Sequence, residues 1–181
     1  AKALLGLVYD FIDCAMASTS ESPPFNIPHV RFIKAGLALS FFPGGGKPSL
    51  KTGTTRAVFL LEEVIDCGDR DKGHDFTKFI HNMDPNPLLD PEDYGYDFAL
   101  FLAFTQHVQY MKTSGLAFIS DYQGNTGLLT DPQIMTDPSV SDSDDIFGEG
   151  NISKAVSEFE KCHICNDFCR WPGFALKTFE A

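Results

Sequence analysis

The residues best suited to do chemistry crowd into the last third of the chain. Asp121 sits in Ile119-Ser120-Asp121-Tyr122-Gln123-Gly124, and Asp131 in Leu129-Thr130-Asp131-Pro132-Gln133-Ile134. Each puts a carboxylate where an apolar run gives way to turn residues, the setting in which a hard cation and a phosphate can be held. Pro132 disfavours helix at Asp131, and the segment between the two acids is long enough to bring them together as a hairpin or loop. Two carboxylates held close repel unless a cation lies between them. The pair therefore argues for magnesium or for general-base work, whereas either acid alone would be an ordinary turn aspartate.

A second cluster follows. Cys162-His163-Ile164-Cys165 and then Cys169 have the spacing of ligands for a soft metal such as zinc. On a helix, Cys165 and Cys169 would share one face, and His163 would join them from the helix's first turn. His107, on a separate helical segment, is the best candidate for a fourth ligand. Cys162 competes, because it forms a CxxC pair with Cys165. A buried thiol cluster without metal is the plainer alternative. A redox CxxC is disfavoured, since the residues before it read as helix rather than strand. Five cysteines is an odd count with three in one short stretch, which favours a metal in a reducing, cytoplasmic compartment over a disulfide framework. Cys14 and Cys67 read as incidental thiols.

Those residues need elements to position them. The 181 residues are 43% apolar with 17 Phe, enough for a core. Apolar residues at Leu4, Leu5, Val8, Phe11, Ile12 and Ala15 predict a helix over 3–17. Residues 18–28 form a Ser- and Pro-rich loop, 30–42 contain a strand, and the apolar run 57–64 reads as a buried central strand. A short helix is expected over 75–81, a longer one over 98–110 carrying His107, and a strand over 116–120 that delivers Asp121. Residues 151–171 read as a helix interrupted near His163, after an acidic loop over 138–149. The net charge of −11 argues against nucleic acid and against an anionic membrane surface as partners. No apolar run is long enough for a spanning helix. The first residues, Ala1-Lys2-Ala3, show neither an initiating Met nor a leader-cleavage pattern, as expected of a piece of something longer. Gly44-Gly45-Gly46-Lys47 lacks the upstream Gly and the following Ser or Thr of a phosphate loop and reads as a turn. Asn151-Ile152-Ser153 is a chance glycosylation match.

Together these segments resemble the alpha-kinase family of atypical Ser/Thr protein kinases. The likeness is carried by Asp121-Tyr122-Gln123-Gly124, Leu129-Thr130-Asp131-Pro132, Phe147-Gly148-Glu149-Gly150-Asn151 and the His107, His163, Cys165, Cys169 set. Upstream, Leu61-Glu62-Glu63-Val64 resembles the hinge between lobes and Phe76-Thr77-Lys78-Phe79 the segment after it. The resemblance implies an α+β, two-lobed, protein-kinase-like fold with a structural zinc in its C-terminal lobe. Residues 1–61 would be a partial N-terminal lobe and 62–181 the C-terminal lobe with the catalytic and zinc sites. It implies transfer of the ATP γ-phosphate to a hydroxyl of a protein substrate. Asp121 would orient or deprotonate that hydroxyl, and Gln123 and Asp131 would hold magnesium against the phosphates. Glu62 would meet the adenine, while Gly148, Gly150 and Asn151 would shape the substrate side of the cleft. Zinc would be held by His107, His163, Cys165 and Cys169, leaving Cys162 outside. Two departures stand out: Ser153 replaces an expected glycine, and the family's phosphate loop and ATP-binding lysine precede the first helix, so the domain is expected to be truncated at its N-terminus. The alternative is a zinc-stabilised pseudokinase or scaffold; the retained acids speak against it and the missing lysine for it.

Overall fold

A computed structural model describes residues 1–41, 55–66, 76–140 and 152–179. The apolar periodicity at the start produces α1, Lys2–Ser18. It buries Leu5, Val8 and Ile12 on one stripe and ends where the Ser18 hydroxyl turns back to the Cys14 carbonyl at 2.8 Å. Short β1, Arg31–Phe32, leads into β2, Ala35–Phe41, and β3, Thr55–Glu62, which pair antiparallel. Next come β4, Thr77–Lys78, and α2, Tyr96–Lys112. Four short strands follow: β5 Ala117–Ser120, β6 Gln123–Gly124, β7 Leu128–Thr130 and β8 Gln133–Thr136. The C-terminal part holds three one-turn helices: α3 Ser153–Ser157, α4 Phe159–Cys162 and α5 Asp167–Arg170. No helix among the described residues is long and apolar enough to cross a membrane.

The centre of the molecule is α2, buried from Phe98 to Gln109 on nearly every face. Packed around it are α1, α5 and the turn Pro172–Phe174, with Phe104 stacked on Phe174 (ring centroids 5.0 Å apart) and Phe25 tilted against Phe168 (4.2 Å). Aromatic pairs of this kind each add about 1 kcal/mol beyond the area they bury. α1 thus shares one core with the C-terminal elements.

Three expectations need correction. Residues 76–81 are extended, not helical. Thr77–Lys78 is a strand, and the amides of Phe79 and Ile80 both donate to the Tyr122 carbonyl at 2.8 and 3.3 Å. Pairing with the strand that follows Asp121 overrides the local helical pattern. The run 57–64 does form a strand, but not a buried central one. Among the described residues β3 pairs only with β2, and Val58, Phe59, Leu60 and Leu61 are all more than half exposed. An apolar run marks surface able to be buried and says nothing about what covers it. The last helix breaks twice, at Glu158 and over 163–166, so Cys165 lies before α5 and not on a helix with Cys169.

Candidate active site

β5 through β8 make one hairpin with a kink. Ser120 pairs with Gln133 before the kink and Gln123 with Thr130 after it, in the same register. Between them the backbone leaves strand geometry at Asp121 (φ +58°) and Asp131 (φ +44°), both left-handed. Aspartate tolerates this region better than most residues, at a cost of about 1–2 kcal/mol. Strained backbone of this kind collects where a side chain must be aimed. The kink thereby brings the two predicted acids to one bend on facing strands. Pro132 has no amide to lose from the ladder there.

Two features hold the far arm of the hairpin. The Asn125 side chain accepts from the amides of Gly127 (2.9 Å) and Leu128 (2.7 Å), closing the turn. At Gly124 (φ +142°) a β-carbon would lie 2.1 Å from the Leu128 carbonyl oxygen. The final position of Asp-Tyr-Gln-Gly therefore has to be glycine, because two backbones meet there.

Gln123 Nε2 donates to Asp131 Oδ2 at 3.3 Å. Gln123 Oε1 and Asp131 Oδ1 then remain as oxygen atoms suited to a hard cation. Lys78, which the β4–β6 pairing sets opposite Gln123, reaches Asp121 Oδ1 with its ammonium at 2.5 Å. That oxygen is buried and accepts no hydrogen bond among the described residues, so this cation is its partner. Sequence reasoning gave Lys78 no role. The available signal was its place in Phe76-Thr77-Lys78-Phe79, a lone cation in a segment next to the hinge.

The polar residues of α2 explain how the hairpin is held. Thr105 Oγ1 and Gln109 Nε2 meet the Tyr122 hydroxyl at 2.9 and 3.3 Å. Gln109 Oε1 accepts the Ile119 amide at 2.8 Å, and Gln106 Nε2 donates to the Ile119 carbonyl at 2.8 Å. Buried polar side chains thus satisfy the strand backbone two residues before Asp121. Burial pushes the Tyr122 hydroxyl well above its usual titration range. These three residues also escaped sequence reasoning; polar positions inside an otherwise apolar helix were the available sign.

His107, two residues on from Thr105, faces away from the hairpin. It meets His163, Cys165 and Cys169, all buried, with one ligand atom from each lying within 4.8 Å of the others. Cys165 Sγ lies 3.7 Å from His107 Nδ1, and Cys169 Sγ 3.6 Å from His163 Nε2. Zinc–sulfur and zinc–nitrogen bonds at tetrahedral angles give a sulfur–nitrogen edge of roughly 3.6 Å, so the donor set fits zinc. His107 Nε2 lies 3.1 Å from the Lys177 carbonyl. Donation there leaves Nδ1 with its lone pair toward the cluster, the usual outer contact of a metal-binding imidazole. Burial holds His107 down to about 4 and, with the nearby His107 adding to it, His163 down to about 3. Both rings are therefore neutral, as ligation requires. Burial, with Cys165 beside it, pushes the Cys169 thiol up to about 12 against the opposing pull of Asn166 and Arg170; a bound cation would favour the thiolate. Phe179 stacks on His107 at 4.2 Å and Phe159 on His163 at 5.3 Å, shielding the group.

The set predicted from the resemblance thus assembles, with Cys162 exposed and outside it. Its local geometry differs from expectation, since His163 ends α4 instead of starting a helix. Glu62 closes β3 opposite Ala35, and its side chain has no hydrogen bond or ion pair among the described residues. Its neighbour Glu63 is the anchored one. Glu63 takes a two-pronged bond from Arg31 (2.7 Å each) and the Lys34 amide at 3.0 Å. Gly148, Gly150 and Asn151 lie outside the described residues.

Similar structures carry the same fold. A catalytic-domain mutant of myosin heavy chain kinase A superposes with a TM-score of 0.54 at 20% identity, covering 99% of this chain and 60% of that one. The alpha-kinase domain of myosin-II heavy chain kinase A in complex with AMP-PNP gives 0.53 at 20% identity, over 98% and 60%. A form of that domain described as holding a phosphorylated aspartate gives 0.54 at 21% identity, over 98% and 61%. The chain thus spans about 60% of the length of these domains. No curated protein matches it. The model of the alpha-kinase family matches residues 7–169, most of the sequence and both candidate sites. The chain belongs to the alpha-kinase family and has its α+β fold.

Proposed function

We propose that this domain transfers the γ-phosphoryl group of ATP to a serine or threonine hydroxyl of a protein substrate, with magnesium. The observation that carries the reading is the hairpin kink, where Lys78–Asp121 and Gln123–Asp131 converge on one bend. Phosphoryl transfer needs positioning and charge neutralisation more than covalent chemistry, and this kink offers both. Asp121 orients the acceptor hydroxyl and takes its proton. Lys78 fixes that carboxylate and sets a positive charge beside the phosphoryl path. Gln123 and Asp131 present oxygen ligands to magnesium on the phosphates. Glu62, Gly148, Gly150 and Asn151 are assigned to the adenine and substrate sides of the cleft on the family resemblance alone. On the same basis, residues 1–61 are assigned to a partial N-terminal lobe and 62–181 to a C-terminal lobe, with α1 the part of the first that packs into the core of the second. The odd number and clustering of the cysteines suit a reducing, cytoplasmic setting.

His107, His163, Cys165 and Cys169 would hold a structural zinc. Four protein ligands leave no open position, so its contribution is rigidity, joining α2 to the segment 163–169. The test is transfer of labelled phosphate from ATP with magnesium to a serine- and threonine-bearing acceptor protein. Asp121→Ala should lower the rate about 100-fold or more with zinc content unchanged. If a longer form carrying the N-terminal strands that the resemblance expects still transfers nothing, or if the variant made in it is as active as its parent, the assignment is refuted.

A further inference from the structure

The two ligands His163 and Cys165 sit on irregular backbone, yet that backbone is not left to itself. Asn86, nearly eighty residues upstream, donates through Nδ2 to the Cys162 carbonyl at 2.9 Å and accepts the Ile164 amide on Oδ1 at 2.9 Å. The two bonds bracket His163. Each meets a group that the local structure leaves open: Cys162 ends α4 with a spare carbonyl, and Ile164 lies in the gap before α5. The amide's orientation is fixed by its partners, since Cys162 O and Asp84 Oδ1 can only accept and Ile164 N–H can only donate.

Asn86 is itself held. Asp84 Oδ1 accepts from the Asn86 amide at 3.0 Å and from Nδ2 at 2.8 Å. Pro85 and Pro87 bias Asp84 and Asn86 toward extended backbone. The loop is tied down at its other end too. Pro87 bridges Ile80, and the Leu88 amide donates to the Phe79 carbonyl at 2.9 Å. Phe79 and Ile80 in turn hang from the Tyr122 carbonyl.

We propose that Asn86 is a positioning residue of the metal centre: it grips the backbone on both sides of His163 and ties that segment to the strand carrying Lys78. This rests on the structural-zinc reading. Outer groups that orient metal ligands typically change affinity by about 10- to 100-fold when removed.

The experiment follows transfer of zinc from the purified, zinc-loaded protein to excess chromogenic chelator. Asn86→Ala should release zinc roughly 10- to 100-fold faster than wild type. Asn86→Asp keeps the volume and the oxygen facing Ile164 but loses the donor to Cys162, so a folded protein should shift the same way. Val8→Ala, a core truncation in α1 that touches no metal ligand, controls for general loss of stability and should release at close to the wild-type rate. If both Asn86 variants release zinc as slowly as wild type, the grip is refuted while the zinc reading stands. If Val8→Ala releases it as fast as Asn86→Ala, the effect is general instability and the proposal falls. A wild-type protein with no bound zinc overturns both.

Discussion

Gly124→Ala tests whether the far arm of the kinked hairpin is as tightly built as its geometry requires. The new β-carbon would sit 2.1 Å from the Leu128 oxygen and 2.9 Å from Leu129 Cα. A tolerable carbon–oxygen contact is near 3.3 Å, so β7 has to withdraw by about 1 Å. The Leu128 oxygen also accepts the Asn125 amide at 2.8 Å, and Gly124 pairs with Leu129. Loosening two such backbone bonds costs about 1 kcal/mol each. Forcing alanine to φ +142° adds about 1–3 kcal/mol. The sum is about 3–5 kcal/mol, a fall in Tm of about 10 °C for a chain this size. Urea denaturation followed by circular dichroism, with calorimetry alongside, reads it directly. Because Thr130 adjoins Asp131, the same withdrawal also parts Gln123 from Asp131, so magnesium-dependent nucleotide binding should weaken with stability. A loss below about 1 kcal/mol would refute the argument from close backbone approach.

Two further outcomes follow from named contacts. Tyr122→Phe removes a fully buried hydroxyl bound to Thr105 and Gln109 and should cost about 1–2 kcal/mol in urea unfolding; an unchanged midpoint would mean that those partners re-pair freely. Glu63 is held down to about 2 by Arg31 and the Lys34 amide, from an ordinary value of 4.5. A depressed carboxylate contributes fully above its unfolded value and loses that contribution as pH falls through the folded one. Glu63→Gln should therefore flatten the stability profile between pH 4.5 and 2, and added salt should shrink the difference because the pair is exposed. An identical acid limb in wild type and variant would show that the pair contributes nothing.

What could be read from residue order was whatever depends on local periodicity or on ligand type. α1 and α2 follow from their apolar spacing, and the strand before Asp121 from its β-branched and aromatic run. Ligand type and spacing pointed to His163, Cys165 and Cys169, and the family resemblance chose His107 over Cys162 as the fourth member of that cluster. Contacts set by tertiary pairing were not legible. Residues 76–81 carry a helical pattern, yet Tyr122 draws them into strand geometry. Lys78 gains its meaning only when β4 is laid beside β6. Asn86 looks like a turn residue in Asp84-Pro85-Asn86-Pro87 until the chain returns to it at Cys162. Cys165 and Cys169 meet through a loop, and spacing alone suggested a helix.

Gln106 and His107 are adjacent on the central helix, one gripping the strand that leads to Asp121 and the other facing the thiols. Neighbouring residues on a helix differ by 1.5 Å along its axis, so α2 cannot slide for one without sliding for the other. A cation tolerant of only small errors in bond length would impose the same tolerance on the distant carboxylates. Precision at the proposed transfer site would then be inherited across the width of one helix from the side that faces the thiols.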